Sequence, residues 1–253
     1  MIREETVFGP IFSRRLGTSL GINLLPEKGK ICNFDCIYCE CCWNKDGRND
    51  TVLPTAAKVR ADLENMLEHL RRHEVKVDSI TFSGDGEPTL NPEFPQIIDD
   101  TLSLRDQLAA TAKVSVLSNA TRVHIPEVFN ALRKVDNPIM KIDAPTNELI
   151  ARINKPAPGY DIARVVEALK QFQGNFILQT CMLRSKEYDF DSSRPEVLDG
   201  WMAIVRQQRP REIMVYTIDR PTPAQGLEKL TVEEMTSLVQ PLIDEGFTIQ
   251  IKG

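Results

Sequence analysis

Histidine is scarce, with three in 253 residues, and outside one short stretch cysteine occurs only at Cys181. A chain so poor in histidine has little means to build imidazole metal sites. Its one helical pair, His69 and His73 in "HLRRH", lacks the glutamate of the zinc-protease motif and has charged neighbours, which reads as a solvated helix face. Long apolar runs are missing too: none approaches the ~18 residues of a membrane span. The opening "MIREETVFGP" has no charged-then-apolar signal pattern. These absences lead us to expect a cytoplasmic protein without membrane contact, in a reducing compartment where a disulfide framework is not expected. Positive charge is not in excess: 31 Lys and Arg against 36 Asp and Glu give a net charge of −5. That argues against broad nucleic-acid binding, although a local basic pocket is compatible with an RNA. No internal repeat or low-complexity segment is present. The length suits one or two domains, or a single α/β barrel.

What is present is alternation. Strand-like runs lie near 18–25, 78–83, 113–118, 138–143, 175–182 and 212–217, with helical stretches near 55–74, 93–109, 125–134, 160–172 and 195–208. A further helix near 231–244 opens on Thr231 and "TVEE", a capping-box pattern, and a last strand, "FTIQI", follows. Such alternation implies βαβ units and a parallel sheet. Six units suit an α/β partial (β/α)6 TIM-like barrel; a doubly wound open sheet is the alternative. We expect a single core domain over 1–253, with the C-terminal helix and strand at 231–251.

The strand ends carry polar residues: Ser83 to Glu87, then Ser118 and Asn119, then Asp143, then Met182 to Arg184, and Asp219 with Arg220. In α/β barrels and open sheets, ligands bind beyond the carboxyl ends of the strands. Any one of these residues also serves to cap a helix or turn the chain. The series points to a site built from several loops.

The cysteine cluster sits in a loop over 26–45, where Cys32, Cys36, Cys39, Cys41 and Cys42 crowd into "CNFDCIYCECC". Structural zinc favours two cysteine pairs separated by a longer spacer, and no second pair lies downstream. A ferredoxin-type cluster calls for a fourth cysteine. Three cysteines spaced C-x3-C-x2-C are also able to hold a 4Fe–4S cluster by three irons and leave the fourth open. Cys41 and Cys42 read as reduced thiols beside the loop, and Cys181 in "ILQTCML" as a small core hydrophobe.

In these features the sequence resembles the radical S-adenosylmethionine superfamily. C-x3-C-x2-C at Cys32, Cys36 and Cys39, with the aromatic Tyr38 before the third cysteine, matches its cluster loop. "GDGEP", from Gly84 to Pro88, matches its glycine-and-glutamate motif after the second strand. The resemblance implies one 4Fe–4S cluster whose open iron is chelated by the amino and carboxylate groups of S-adenosylmethionine. Reductive cleavage then gives methionine and a 5′-deoxyadenosyl radical that abstracts a substrate hydrogen. It further implies cofactor contacts from Tyr38, from Gly84, Asp85, Gly86 and Glu87, from Ser118 and Asn119, and from Asp143. The two glycines would permit close backbone approach to the cofactor. A small electron donor such as a flavodoxin or ferredoxin is implied as partner.

Within the superfamily, "FGPIFSRRLGTSLGINLLP", "FSGDGEPTLNP", "KIDAP", "INKP" and "DRPTPAQG" are similar to the group containing the wyosine-type transfer-RNA enzymes, which use pyruvate. Those relatives hold a second cluster through upstream cysteines, and here no cysteine precedes Cys32. A lysine there engages pyruvate in those relatives, and neither Lys28 nor Lys30, though upstream, aligns convincingly with it. By kinship with that group we expect an anionic, nucleotide-like substrate, nucleic acid included, met by Lys155, Arg184 and Arg220, with Arg14, Arg15, Lys28 and Lys30 as further phosphate candidates. The alternatives are a radical activase or modifying enzyme acting on a protein or peptide, and a non-enzymatic iron–sulfur or zinc protein.

Overall fold

The computed structural model describes residues 5–13, 17–46 and 50–253. Two compact units share the chain, which passes between them repeatedly. The first comprises Met1–Cys32, Asn44–Ser118 and His124–Pro138; the second comprises Asn33–Trp43, Asn119–Val123 and Ile139–Gly253. Arg14 and Arg15 lie outside the described residues.

In the first unit β1 (Val7–Ser13) pairs antiparallel with β2 (Gly17–Ile22), β2 pairs parallel with β3 (Ser79–Phe82), and β3 parallel with β4 (Lys113–Ser118). Helix α1 (Ala56–Arg72) connects β2 to β3 and α2 (Phe94–Leu108) connects β3 to β4, while α3 (Pro126–Leu132) follows β4. Helix α1 starts where the Thr55 hydroxyl accepts from the Lys58 N–H at 3.3 Å. Its buried residues Ala56, Val59, Leu63, Leu67 and Leu70 recur at helical spacing and form one stripe. All four residues of β3 are buried, as in a strand covered on both faces. Hydroxyls of these strands pair with one another inside this core. Ser19 and Thr81 meet at 2.8 Å, Ser79 and Thr81 at 2.9 Å, and Ser79 and Ser115 at 3.2 Å.

In the second unit β5 (Asn137–Lys141, inside this unit from Ile139), β6 (Ile177–Cys181), β9 (Glu212–Tyr216) and β11 (Ile249–Lys252) pair in that order, all parallel. Along the chain lie α4 (Asn147–Ile153), α5 (Ile162–Leu169), β7 (Leu183–Ser185), β8 (Phe190–Asp191), α6 (Pro195–Gln208), β10 (Leu227–Lys229) and α7 (Val232–Asp244). Strand β7 lies between β10 and β8 in a small antiparallel sheet. The capping box forms as the sequence predicts. Thr231 Oγ1 accepts from Glu234 N–H at 3.1 Å, and Glu234 Oε2 accepts from Thr231 N–H at 2.7 Å.

The six predicted inner strands and the predicted helices all form, giving parallel α/β structure in each unit. The strand predicted over 18–25 stops at Ile22 because buried Asn23 turns the chain, its Oδ1 accepting from Leu25 N–H at 3.2 Å. Strand β1, helix α4 and the small sheet were not predicted. Among the described residues, no helix is long and apolar enough to cross a membrane.

Asp136 ties the first unit's layers together. Its carboxylate accepts from Arg105 Nη1 at 2.7 Å, from the Val114 N–H at 2.9 Å and from Lys113 Nζ at 3.1 Å. Partial burial alone would raise its pKa, but the Val114 N–H and Arg105 outweigh that and hold it below the ordinary carboxylate value. A carboxyl depressed in the folded state stabilises above its unfolded pKa and loses that contribution as pH falls through the folded value. Asp136→Asn should therefore lower the unfolding free energy by about 1–3 kcal/mol at neutral pH. In urea titrations the gap to wild type should close below about pH 4.

Candidate functional site

The glycine loop after β3 is shaped by the chain's own approach to the first cysteine. Ile31 N–H donates to Asp85 O at 3.1 Å, and Glu87 N–H donates to Ile31 O at 3.1 Å, making an isolated parallel bridge between Ile31 and Gly86. Gly86 has φ +139°, and a Cβ there would collide with the Ile31 carbonyl. A Cβ at Gly84 would collide with the Asn23 side chain, whose Oδ1 also accepts from Asp85 N–H at 3.1 Å. The close approaches that require these glycines are thus to Ile31 and Asn23. Cys32 follows directly, with its carbonyl accepting from Asn44 Nδ2 at 3.0 Å.

Glu87, 2% exposed, is held by its neighbours. Its Oε1 accepts from Thr89 Oγ1 at 2.6 Å, from Ser118 Oγ at 2.8 Å and from Thr89 N–H at 3.2 Å. The structure so brings two predicted site residues together, Glu87 and Ser118, through a hydrogen bond between themselves.

In the second unit the remainder of the cysteine loop is laced to the end of α4. Asp35 N–H donates to Asn154 O at 2.8 Å, Ile37 N–H to Ile153 O at 2.9 Å, and Ala157 N–H to Asn33 O at 2.8 Å. Asn119 joins this lacing: its Nδ2 donates to Asn33 Oδ1 at 2.6 Å, and Asn33 Nδ2 donates to Thr121 Oγ1 at 2.6 Å. Cys39 N–H donates to Cys36 O and Cys42 N–H to Cys39 O, each at 3.1 Å, so the loop coils through successive turns. Cys36 is buried, Cys32, Cys39 and Cys41 are half-buried, and Cys42 is exposed. Cys181 is fully buried in β6, and His69 and His73 are exposed near the end of α1.

Beneath the loop lies a buried polar cluster. Tyr38 OH donates to Asp143 Oδ2, to which Asn154 Nδ2 also donates at 2.7 Å. That same amide lies 2.9 Å from Tyr38 OH and 3.3 Å from Cys36 Sγ. Asp143 Oδ1 accepts from Cys181 N–H at 2.8 Å and pairs with Lys141 Nζ at 3.4 Å. Lys141 Nζ donates in turn to Tyr216 OH at 2.9 Å. Both Asp143 oxygens are thus engaged by its own chain.

Electrostatics follow from this burial. Cys36 is pushed up to about 11 by burial, with the Lys141 ammonium pulling the other way. Burial, then Asp143, raises Tyr38 well above an ordinary phenol. Burial would lower Lys141, but Asp143 and its other neighbours outweigh this and hold it well above the usual lysine value. At neutral pH Lys141 is therefore an ammonium and Tyr38 a phenol.

The thiols suit an iron–sulfur group in donor chemistry, being soft ligands, and an amide N–H already points at one of the sulfurs. Among the described residues no three His, Cys, Asp or Glu side chains converge as they would around a single ion. A cubane cluster places its thiolates on separate irons and asks for a wider spread.

The three predicted substrate cations diverge. Arg184 is committed to carboxylates, Glu234 Oε1 at 2.9 Å and Asp191 Oδ1 at 3.4 Å. Arg220 pairs with Glu40 at 2.8 Å. Lys155 instead places its ammonium over two rings, Trp43 at 4.4 Å and Tyr188 at 4.8 Å. Sequence reasoning missed Asn23, Lys141, Asn154 and Tyr216. Two of these stood inside the quoted motifs "KIDAP" and "INKP" without being singled out.

Comparison with known proteins bears on these observations. A family model described as "Radical SAM superfamily" matches residues 27–189. A UPF0026 protein of Helicobacter pylori is 31% identical over 250 residues, covering 97% of this chain and 75% of that protein. A protein of Brachyspira hyodysenteriae named GTPase Obg is 29% identical over 238 residues; these are 92% of this chain but 33% of that protein, so the chain spans about a third of its length. Among solved structures, TYW1 with a lysine–pyruvate adduct gives a TM-score of 0.64 at 13% identity, over 92% of this chain and 76% of that one. SuiB of Streptococcus suis bound to precursor peptide SuiA gives 0.65 at 16% identity, over 92% of this chain and 48% of that one. Identities this low speak to fold alone, and the fold is the partial TIM-like barrel of these enzymes.

Removing the Asp143 carboxylate strands a buried ammonium and several donors. Asp143→Ala should destabilise the protein by about 3–5 kcal/mol, as expected when one partner of a buried pair is lost. Adding Lys141→Met to that variant should recover part of the loss. Urea unfolding of the two variants checks both expectations.

Proposed function

Because the chain belongs to the radical S-adenosylmethionine superfamily, whose members are enzymes using a 4Fe–4S cluster and S-adenosylmethionine, we propose that Cys32, Cys36 and Cys39 hold one such cluster and that the substrate is anionic and nucleotide-like. When bound, the cluster supplies the electron that cleaves S-adenosylmethionine reductively, and enzymes of this family need an external reductant. We take the donor to be a flavodoxin or ferredoxin, and the setting to be the cytoplasm. The 253 residues act as one core domain in this reading.

The observation that carries the cluster assignment is the hydrogen bond from Asn154 to Cys36 Sγ within the buried group around Asp143. An amide donor at a cluster thiolate offsets its charge and tunes its potential. Asp143, with its oxygens already engaged, acts here as a positioning residue. It fixes Asn154 and Tyr38, which orient the loop between the second and third cysteines. Glu87 and Ser118 serve the cofactor as a preformed pair whose geometry Thr89 holds. The glycine loop contributes its backbone in the shape set by Ile31 and Asn23.

The substrate assignment rests on Lys155, which has no carboxylate partner among the described residues, unlike Arg184 and Arg220. A protein or peptide substrate is the alternative; the likenesses to TYW1 and to SuiB are equally close and favour neither.

Anaerobically reconstituted protein should hold about four irons per chain and cleave S-adenosylmethionine under dithionite. Cys32→Ala, Cys36→Ala and Cys39→Ala should each abolish cleavage, whereas Cys41→Ala, Cys42→Ala and Cys181→Ala should keep most of the iron. About eight irons per chain would overturn the one-cluster assignment. Glu87→Ala should weaken S-adenosylmethionine binding by roughly ten- to a hundredfold in calorimetry, with iron content near wild type.

A further inference from the structure

Lys155 occupies an unusual backbone position. Its φ is +43°, in the left-handed region, although it carries a side chain and precedes Pro156, which steers its predecessor toward extended backbone. The neighbours impose this conformation. Asn154 is 1% exposed and locked by Asp143 and Cys36, while the Lys155 N–H donates to Ile150 O at 3.2 Å at the end of α4. The inward Asn154 and the left-handed turn together deliver the lysine to the surface, between Trp43 at the end of the cysteine loop and Tyr188 between β7 and β8. Backbone strain maintained by surrounding structure is a mark of functional positions.

Charge and shape point to one ligand class. No carboxylate neutralises the ammonium among the described residues, so its charge is available to an anion. Two aromatic faces at 4.4 and 4.8 Å from that charge offer stacking surface. A cation over these half-buried rings is held no more strongly than a nucleobase stacks on such rings. A carboxylate of a peptide would satisfy the ammonium and leave the rings unused; a nucleotide satisfies both. We propose that Trp43, Lys155 and Tyr188 form a subsite for a nucleotide unit of single-stranded RNA, with the ammonium on phosphate and a ring stacked on the base. This rests on the reading of a nucleotide-like substrate and adds to it a place and a mode of binding.

Trp43 makes the test direct. The other tryptophan, Trp201, is 1% exposed with its indole N–H donating to Thr180 at 2.9 Å, and supplies a constant background. Adding a short single-stranded RNA to the full-length protein should quench Trp43 emission saturably. Lys155→Met and Tyr188→Leu should each raise the dissociation constant by about tenfold in a filter-binding assay, with melting temperatures near wild type. Lys155→Arg, which keeps the charge, should retain most of the affinity and guards against a folding artefact. The subsite is overturned if both neutral variants bind RNA like wild type, or if an acidic peptide of equal charge quenches as strongly as the RNA. Stimulation of S-adenosylmethionine cleavage by the RNA, measured in parallel, separates the two ideas. Stimulation that survives unchanged in both variants removes the subsite and leaves the substrate class standing. Neither binding nor stimulation in wild type removes both.

Discussion

The Asp143 carboxylate is the constraint from which most of the second unit's functional geometry follows. It lies at the end of β5 with no exposed side-chain surface, where an unpaired charge would be costly. Its two oxygens are met by a phenol, an amide, a backbone N–H and an ammonium. Each partner comes from a different part of the chain: the cysteine loop, the residue after α4, β6 and β5 itself. Satisfying one carboxylate thus fixes the loop carrying Cys36 and Cys39 against the strands below. It also orients Asn154, and with it the turn that presents Lys155.

A second constraint operates in the first unit at backbone level. The glycine loop has the composition of a cofactor cradle, yet its glycines are explained by contacts internal to the chain. Gly86 receives the Ile31 carbonyl and Gly84 receives Asn23. Because Ile31 precedes Cys32, the path of the chain into the cluster motif and the shape of the glycine loop are determined by the same pair of backbone hydrogen bonds. Two sequence motifs about fifty residues apart are therefore one structural object within that unit.

The parts of the fold with regular periodicity were legible from the sequence. Helices such as α1 and α6, with long apolar stripes, and buried strands such as β3 announce themselves through spacing. Strand β1, helix α4 and the small sheet did not, because they are short or rely on partners distant in sequence. At the site, the cysteine spacing and "GDGEP" were visible as patterns. The roles of Lys141, Asn154 and Asn23 were not. A buried amide or ammonium is defined by what surrounds it, and no local pattern marks it. The arginines show the converse case. Arg184 and Arg220 looked available in sequence, but Glu234 and Glu40, 50 and 180 residues away, engage them.

Glu234 carries one further implication. One of its oxygens closes the capping box of α7 and the other holds Arg184 on β7. Order in the first turn of that helix and the electrical character of the nearby surface are consequently the same variable. If the turn frays, Arg184 keeps only its 3.4 Å pair with Asp191, and the charge on that face is redistributed. The helix end behaves as a latch on a charge, so agents that loosen helices should be felt at this surface as a change in potential before they are felt as a loss of fold.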